Sequence, residues 1–279
     1  MATLLDGARA AAARGSWWWT WRVLLGLVLL YGGALLCGMQ PAVPFDVALN
    51  LWPAPPVDES LRAPPAAKPR LVVLQHGLWR SPWSLWRLER ALRAHGYAVL
   101  NPRYPSTRAR IEQHAGRLRD AIEAWVEANG EPEEIAFVGH SMGGLVIEEY
   151  LRRPDARAPV RCVYVATPHR GAMLCDLRKH WWMFRLFMGT GAALQLSPGD
   201  PLHRQPLPFV ERSGAIVGSI GAGNASIPGD DDGTVGVAEA QLAGAADTVT
   251  LPHGHTAIAA HEDTIAQVLH FLREGAFAR

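Results

Sequence analysis

The apolar positions fall into three regimes along the chain. An uncharged run extends from Val23 to Met39, directly after Trp17, Trp18, Trp19 and Trp21. Residues 40–68 carry no sustained apolar period. Prolines at 41, 44, 53, 55, 56, 64 and 65, with Pro69 closing the stretch, lock φ and remove donors, so an extended, semi-rigid linker is expected. From residue 70 onward, short β-branched runs alternate with segments of helical period.

This alternation predicts six strands. Arg70 to His76 is the first, bounded by Pro69 and Gly77. Tyr97 to Asn101, Glu134 to Gly139, Val160 to Thr167, Ala215 to Ile220 and Asp247 to Leu251 follow. Helices are predicted between them. Residues 82–95 form one, with Ser81 as N-cap and Pro82 at its first position. Residues 107–128 form another, with Ile111, Ala115, Leu118, Ile122, Trp125 and Val126 on one face. Met142 to Arg153 closes at Pro154, and residues 261–273 end the series with Ile265, Val268, Leu269 and Leu272 inward. Parallel neighbours need a crossover, so strands separated by helices imply an α/β domain with a doubly wound, mostly parallel sheet. No internal repeat is visible. The aromatic-rich segment 171–212 interrupts the rhythm. Trp181 to Met188 can be read as a core helix or as a lid over a site, and the position between the fourth and fifth strands favours the lid.

The uncharged run spans about 26 Å as a helix, just short of the ~30 Å hydrocarbon core. The tryptophans lengthen it at the headgroup level, where Arg22 can also reach. Arg9 and Arg14 precede the run, which places the N-terminus in the cytoplasm and the rest outside. A single-pass membrane anchor is expected. A cleaved signal peptide, leaving a secreted protein, and a buried globular helix are the alternatives; no clear A-x-A cleavage site follows the run. The expected organisation is a membrane or signal segment at 1–39, a linker at 40–68, and a catalytic domain at 69–279 with its lid near 171–212.

Composition narrows the classes. Apolar residues make up 49% of the chain and charged residues 19%, enough to bury a core and too apolar for disorder. Lys and Arg total 27 against 26 for Asp and Glu, a net charge of +1, so nucleic acid is not an expected partner. Cys37, Cys162 and Cys175 are an odd number without a C-x-x-C, which excludes a disulfide framework and a cysteine-rich zinc site.

The candidate chemistry lies at strand ends. Gly139-His140-Ser141-Met142-Gly143-Gly144 follows a predicted strand and opens a predicted helix, the context that a nucleophile elbow requires. Serine is a weak nucleophile and needs a base oriented by an acid. Gly229 to Val235 follows the fifth strand and offers Asp230, Asp231 and Asp232; Asp232, just before Gly233, is the choice. His253-Gly254-His255 follows the sixth strand, and His255 is the expected base. The aspartates are contiguous, without the alternate spacing of a calcium loop, and no metal or other cofactor is expected. At His76-Gly77-Leu78 the chain can turn so that the Leu78 N–H faces a developing oxyanion, with the Met142 N–H as the second donor. His76 itself reads as structural.

Together, H-G-L at 76–78, G-H-S-M-G-G at 139–144, D-G-T-V at 232–235 and G-H-T at 254–256 resemble the α/β-hydrolase superfamily, above all bacterial lipases and esterases. T-P-H-R-G-A at 167–172 is similar to the motif after the fourth strand in many such lipases. The resemblance covers about residues 69–275. It implies the α/β-hydrolase fold, a Ser-Asp-His triad of Ser141, Asp232 and His255, and carboxylic-ester substrates. Six strands are fewer than the eight of the full fold, so its antiparallel leading strands are expected to be missing. The lid matches no pattern of that superfamily; Trp181, Phe184 and Phe187 are the expected wall for a lipid-like ester. An acyltransferase and a non-catalytic, membrane-held interaction protein are the alternatives on the same fold.

Overall fold

The computed structural model describes residues 55–279, which fall within one compact unit. The expected membrane segment and residues 40–54 of the expected linker lie outside the described residues. Among the described residues no helix is long and apolar enough to cross a membrane.

Six strands form one sheet: β1 (Arg70–Gln75), β2 (Ala98–Leu100), β3 (Glu134–His140), β4 (Arg161–Val165), β5 (Ser213–Gly218) and β6 (Asp247–Leu251). Their order is β2-β1-β3-β4-β5-β6, and every pair is parallel. No antiparallel leading strand is among the described residues. Arg70 lies opposite Glu134 and Gln75 opposite Gly139, which brings the C-terminal ends of β1 and β3 level. Successive side chains leave a strand on opposite faces, and both faces are covered. Val72, Leu74, Val138 and Ile216 pack on one side with Leu88, Ile265 and Phe271. Leu71, Val73 and Phe137 pack on the other with Ile111, Leu118 and Tyr150. This two-sided burial is why the strands read as near-continuous apolar runs.

The flanking helices are α1 (Trp86–Ala94), α2 (Ile111–Asn129), α3 (Met142–Leu151), α4 (Met173–Arg178), α5 (Trp182–Met188), α6 (Ala192–Gln195), α7 (Val237–Ala240) and α8 (Glu262–Glu274). Residues 82–85 form a 3-10 turn ahead of α1, with Pro82 at its first position and Ser81 before it, although no side-chain cap bond from Ser81 accompanies it. The helix expected from residue 107 starts at Ile111. The Ile111 N–H donates to Gln195 Oε1 at 2.7 Å, and the Ala109 carbonyl accepts from Ala192 N–H at 2.7 Å. Segment 107–110 is thus tied to the start of α6 instead of extending the helix. The expected inward face of α2 holds: Ile111, Ala115, Leu118 and Ile122 are buried.

The described part of the proline-rich stretch is not a free spacer. The Asp58 N–H donates to His95 Nε2 at 3.1 Å, and the Ala63 N–H donates to the His95 carbonyl at 2.8 Å. Arg273 Nη1 donates to the Arg62 carbonyl at 2.6 Å. Residues 58–63 are therefore strapped to the end of α1 and to α8. At the sheet's short outer strand, Arg93 donates to the Val99 carbonyl at 2.8 Å.

Segment 171–212 contains α4, α5, α6 and two 3-10 turns. The core-helix alternative for Trp181 to Met188 is excluded, because no residue of α5 is buried. Trp182 is 72% exposed, and Trp181, Met183 and Leu186 are also exposed. The helix ends at Gly189, where a positive φ is needed and a Cβ would lie 1.9 Å from the Thr107 carbonyl oxygen. The lid is thereby anchored to the same 104–110 segment that bounds α2.

Candidate active site

The C-terminal edge of the sheet brings together residues far apart in sequence. β3 ends at His140, and Ser141 follows in the left-handed half of backbone space, with φ 55° and ψ −130°, before α3 begins at Met142. Such a conformation costs a non-glycine residue of order 1–3 kcal/mol and must be held by its surroundings. The Ser141 N–H donates to the Val165 carbonyl at 2.9 Å, and the Gly144 N–H donates to the Ser141 carbonyl at 3.0 Å. Small neighbours make the turn possible. A Cβ on Gly143 would lie 2.1 Å from the Gln75 carbonyl oxygen, and one on Gly139 would lie 2.5 Å from Gly144 Cα.

His255 Nε2 lies 2.9 Å from Ser141 Oγ, and His255 Nδ1 lies 2.6 Å from Asp232 Oδ2. A carboxylate only accepts, so Nδ1 carries the proton and Nε2 is free to accept from the serine hydroxyl. Asp232 is buried, and its Oδ1 accepts from the Thr234 and Val235 N–H groups at 2.9 and 2.7 Å. These donors hold the carboxylate facing the imidazole. The His255 N–H also donates to the Asp232 carbonyl at 2.8 Å.

The neighbouring candidates separate cleanly. Asp230 is exposed. Asp231 is fully buried, but its oxygens accept from Gly233 N–H at 2.6 Å and Asn224 N–H at 2.9 Å, so it shapes the loop. His253 turns away from Ser141 to Asp263, with Nε2 2.6 Å from Oδ2.

The expected oxyanion donors flank the serine. A Cβ on Gly77 would lie 3.0 Å from Ser141 Cβ, so the chain entering Leu78 runs against the nucleophile. The next N–H, of Trp79, is taken by Ser106 Oγ at 2.9 Å. Among the described residues the N–H groups of Leu78 and Met142 have no protein acceptor. The Met142 N–H lies at the N-terminus of α3, where the helix dipole favours negative charge. The expected wall is less well placed. Trp181 is exposed with Arg178 over its ring, and Phe184 and Phe187 are half-buried on α5; none of the three takes part in the hydrogen bonds of Ser141, His255 or Asp232.

Two supporting roles became visible only in three dimensions. His140 Nε2 lies 2.9 Å from the His255 carbonyl. A carbonyl only accepts, so Nε2 donates and ties the elbow to the loop carrying the base. Its one sequence signal is its place beside the serine, 115 residues before its partner. Tyr104 donates its hydroxyl to the His76 carbonyl and stacks on the His76 ring at 4.3 Å, which fixes the chain where it turns toward Leu78. The T-P-H-R-G-A motif supports the elbow from behind: Thr167 packs on Gly144, and His169 Nδ1 lies 2.5 Å from Glu148 Oε1 on α3.

A serine on a strand-turn-helix elbow, with its histidine and acid on later loops of a parallel sheet, is the architecture of the α/β hydrolases. The model of the Alpha/beta hydrolase family matches residues 71–269, and the chain belongs to that family. No curated protein matches the chain. Among solved structures it is similar to the mature lipase BlEst2 of Bacillus licheniformis, at 21% identity and a TM-score of 0.56, over 78% of this chain and 95% of that one. It is also similar to the metagenomic carboxyl esterase MGS0156, at 20% identity and a TM-score of 0.54, over 68% of this chain and 65% of that one. Phospholipase PlaB of Legionella pneumophila is matched at 16% identity and a TM-score of 0.59, over 75% of this chain and 60% of that one. The chain thus spans less than two thirds of the last two, and at such identities the likeness is one of fold.

The site is lined by imidazoles kept neutral. Burial pushes His76 down to about 3, and it pushes His140 well below the usual imidazole range with help from His255. Burial also pushes His114, whose ring meets Tyr104 edge-on, down to about 4. Below an unfolded-state value of about 6.5 the unfolded chain takes up protons that the native chain refuses. Stability is therefore fully present above pH about 6.5 and falls with pH below it, by up to about 1.4 kcal/mol per unit for each such histidine. The urea midpoint is expected to drop from pH 7 to pH 5, and the drop to be shallower in His76→Gln and in His114→Gln. An unchanged slope in both variants would contradict burial of these two rings as its origin.

Proposed function

We propose that this chain is a serine hydrolase that cleaves carboxylic esters of lipid-like character through an acyl-enzyme intermediate. The observation that carries the reading is the pair of contacts Ser141 Oγ to His255 Nε2 at 2.9 Å and His255 Nδ1 to Asp232 Oδ2 at 2.6 Å, at the open edge of a parallel sheet. His255 takes the hydroxyl proton as Ser141 Oγ attacks the ester carbonyl. Asp232 holds the imidazole in the required tautomer and stabilises its charged form. The Leu78 and Met142 N–H groups receive the oxyanion, each contributing about 3–4 kcal/mol by the measure of comparable donors. The tetrahedral adduct collapses, His255 passes its proton to the leaving alkoxide, and the alcohol departs. A water then gives its proton to His255, attacks the acyl group, and releases the acid and Ser141.

A fluorophosphonate probe is expected to label wild-type protein and not Ser141→Ala, with ester turnover reduced at least about a thousandfold in folded variant. His255→Ala is expected to lose turnover to a similar degree, and His253→Ala to keep it. Labelling that survives in Ser141→Ala would move the nucleophile elsewhere, and the opposite ranking of the histidines would exchange their roles.

The lid supplies the acyl-binding wall in this reading, since a lipid-like substrate needs dry surface. Its support is the exposed apolar face of α5 and the attachment of Gly189 to the segment beside Ser106. Replacing Phe184 and Phe187 by Ala is expected to raise KM for long-chain esters severalfold while leaving acetate esters little changed. Equal loss on both would place these rings in folding instead.

The N-terminal segment completes the proposal as a single-pass anchor, with the hydrolase domain on the non-cytoplasmic side. Its support is the uncharged run to Met39, the tryptophans ahead of it, and Arg9 and Arg14 upstream. Full-length protein is expected to sediment with membranes and resist carbonate extraction, whereas a chain starting at residue 55 is expected to be soluble and to hydrolyse short esters. A mature N-terminus beyond Cys37 would indicate cleavage and secretion.

A further inference from the structure

Two residues before the candidate base, His253 turns its ring away from Ser141 and toward the start of α8. It stacks on His261 with ring centroids 3.6 Å apart and planes 15° from parallel. Both rings present a nitrogen to one carboxylate. His253 Nε2 lies 2.6 Å from Asp263 Oδ2, and His261 Nδ1 lies 3.6 Å from Asp263 Oδ1. One donor atom from each residue can be chosen so that all three lie within 4.8 Å of one another. We propose that His253, His261 and Asp263 form a binding site for a divalent transition metal of the zinc kind, which clips the loop carrying His255 to α8.

The spacing and donor set support this. Zinc binds imidazole nitrogen and carboxylate oxygen at ~2.0–2.2 Å in a tetrahedron, whose edges are then about 3.3 Å. The observed separations of 2.6 and 3.6 Å lie on either side of that value, so small side-chain rotations suffice. Two imidazoles and one carboxylate suit a borderline ion and not magnesium or calcium, which take oxygen donors. Three protein donors leave a fourth position for water. The His253 side chain is 13% exposed, while those of His261 and Asp263 are 45% and 46% exposed, which gives an ion an entry path. In the metal-free protein, His253 Nε2 donates to the carboxylate; binding displaces that proton to solvent.

Charge is handled locally. The N-terminus of α8 opposes a cation, but Asp263 sits in its first turn beside Glu262. Glu262 is itself paired with Arg87, at 2.5 Å, so Asp263 is the carboxylate left for the ion. The cluster joins two elements that move independently only if it opens: the β6–α8 loop, whose His255 meets Ser141, and the helix that buries Ile265, Val268 and Phe271. A bound ion would therefore restrict the base without touching substrate. The sequence gives little warning, because His261 and Asp263 lie eight and ten residues past His253 with no compact motif between them.

The test is titration of chelator-treated full-length protein with zinc chloride, and with cobalt chloride as a spectroscopic probe. One equivalent is expected to bind with imidazole–carboxylate cobalt bands in the visible, and the melting temperature to rise. His253→Ala, His261→Ala and Asp263→Asn, each checked for a native melting transition, are expected to weaken binding at least tenfold. His255→Ala is expected to retain the equivalent, which separates this site from chelation by the candidate triad. His253→Ala should also keep ester turnover. Absence of binding in the wild-type protein, retention of the equivalent in the three ligand variants, or its loss in His255→Ala would overturn the site. Because binding is read without substrate, the result is independent of whether esters are hydrolysed.

Discussion

The close approach of α3 to the ends of β1 and β3 is the constraint on which the rest of the site depends. There is no room for a side chain at Gly143 against the Gln75 carbonyl, at Gly139 against Gly144, or at Gly144 against Thr167. Only with all three contacts closed can the chain reverse at Ser141 and enter a helix within one residue. The reversal lifts the hydroxyl above the sheet and leaves the Met142 N–H facing the same space. Each later component is then placed relative to that fixed point: the Val165 carbonyl receives the Ser141 N–H, and the loops after β5 and β6 deliver Asp232 and His255. A methyl group at any of the three glycines would displace the nucleophile before it affected the base.

Much of this was legible in the sequence, for reasons that differ by element. The six strands could be read because a sheet buried on both faces demands uninterrupted β-branched and apolar runs, and Gly or Pro bounds many of them. Ser141 could be read because its turn tolerates few residue types. Asp232 and His255 could be read because chain order follows strand order in a parallel sheet. The start of α2 could not, since the side chain of Gln195, 84 residues away, holds the Ile111 N–H. Nor could the docking of residues 58–63, which depends on His95 offering both its ring and its carbonyl. Proline content reports stiffness and says nothing about what a stiff segment lies against. The aromatic density of Trp181 to Met188 was ambiguous for the same reason: hydrophobicity does not reveal which side of a short helix is covered, and here neither side is buried.

The polar groups behind the site form a second layer of constraint. His140 ties the elbow to the His255 carbonyl, Tyr104 fixes the His76 carbonyl, and His169 pairs with Glu148 beneath α3. Neutral imidazoles suit this task. They donate one directed bond without the cost of burying a charge, and so set angles around Ser141 while leaving its electrostatics to Asp232 and the backbone.

The sheet has two open rims, and they are guarded unequally. On β2 the exposed rim is only three residues long, and the Arg93 guanidinium occupies the Val99 carbonyl, so a foreign strand would meet a positive charge and a missing acceptor. On β6 the rim is five residues long, rich in β-branched residues, with Thr248 and Thr250 exposed and Asp247 its single charge. Any association of copies by strand addition would begin at β6. Heat or acid that loosens the C-terminal region would therefore favour aggregates nucleated on that side, while the opposite margin stays inert.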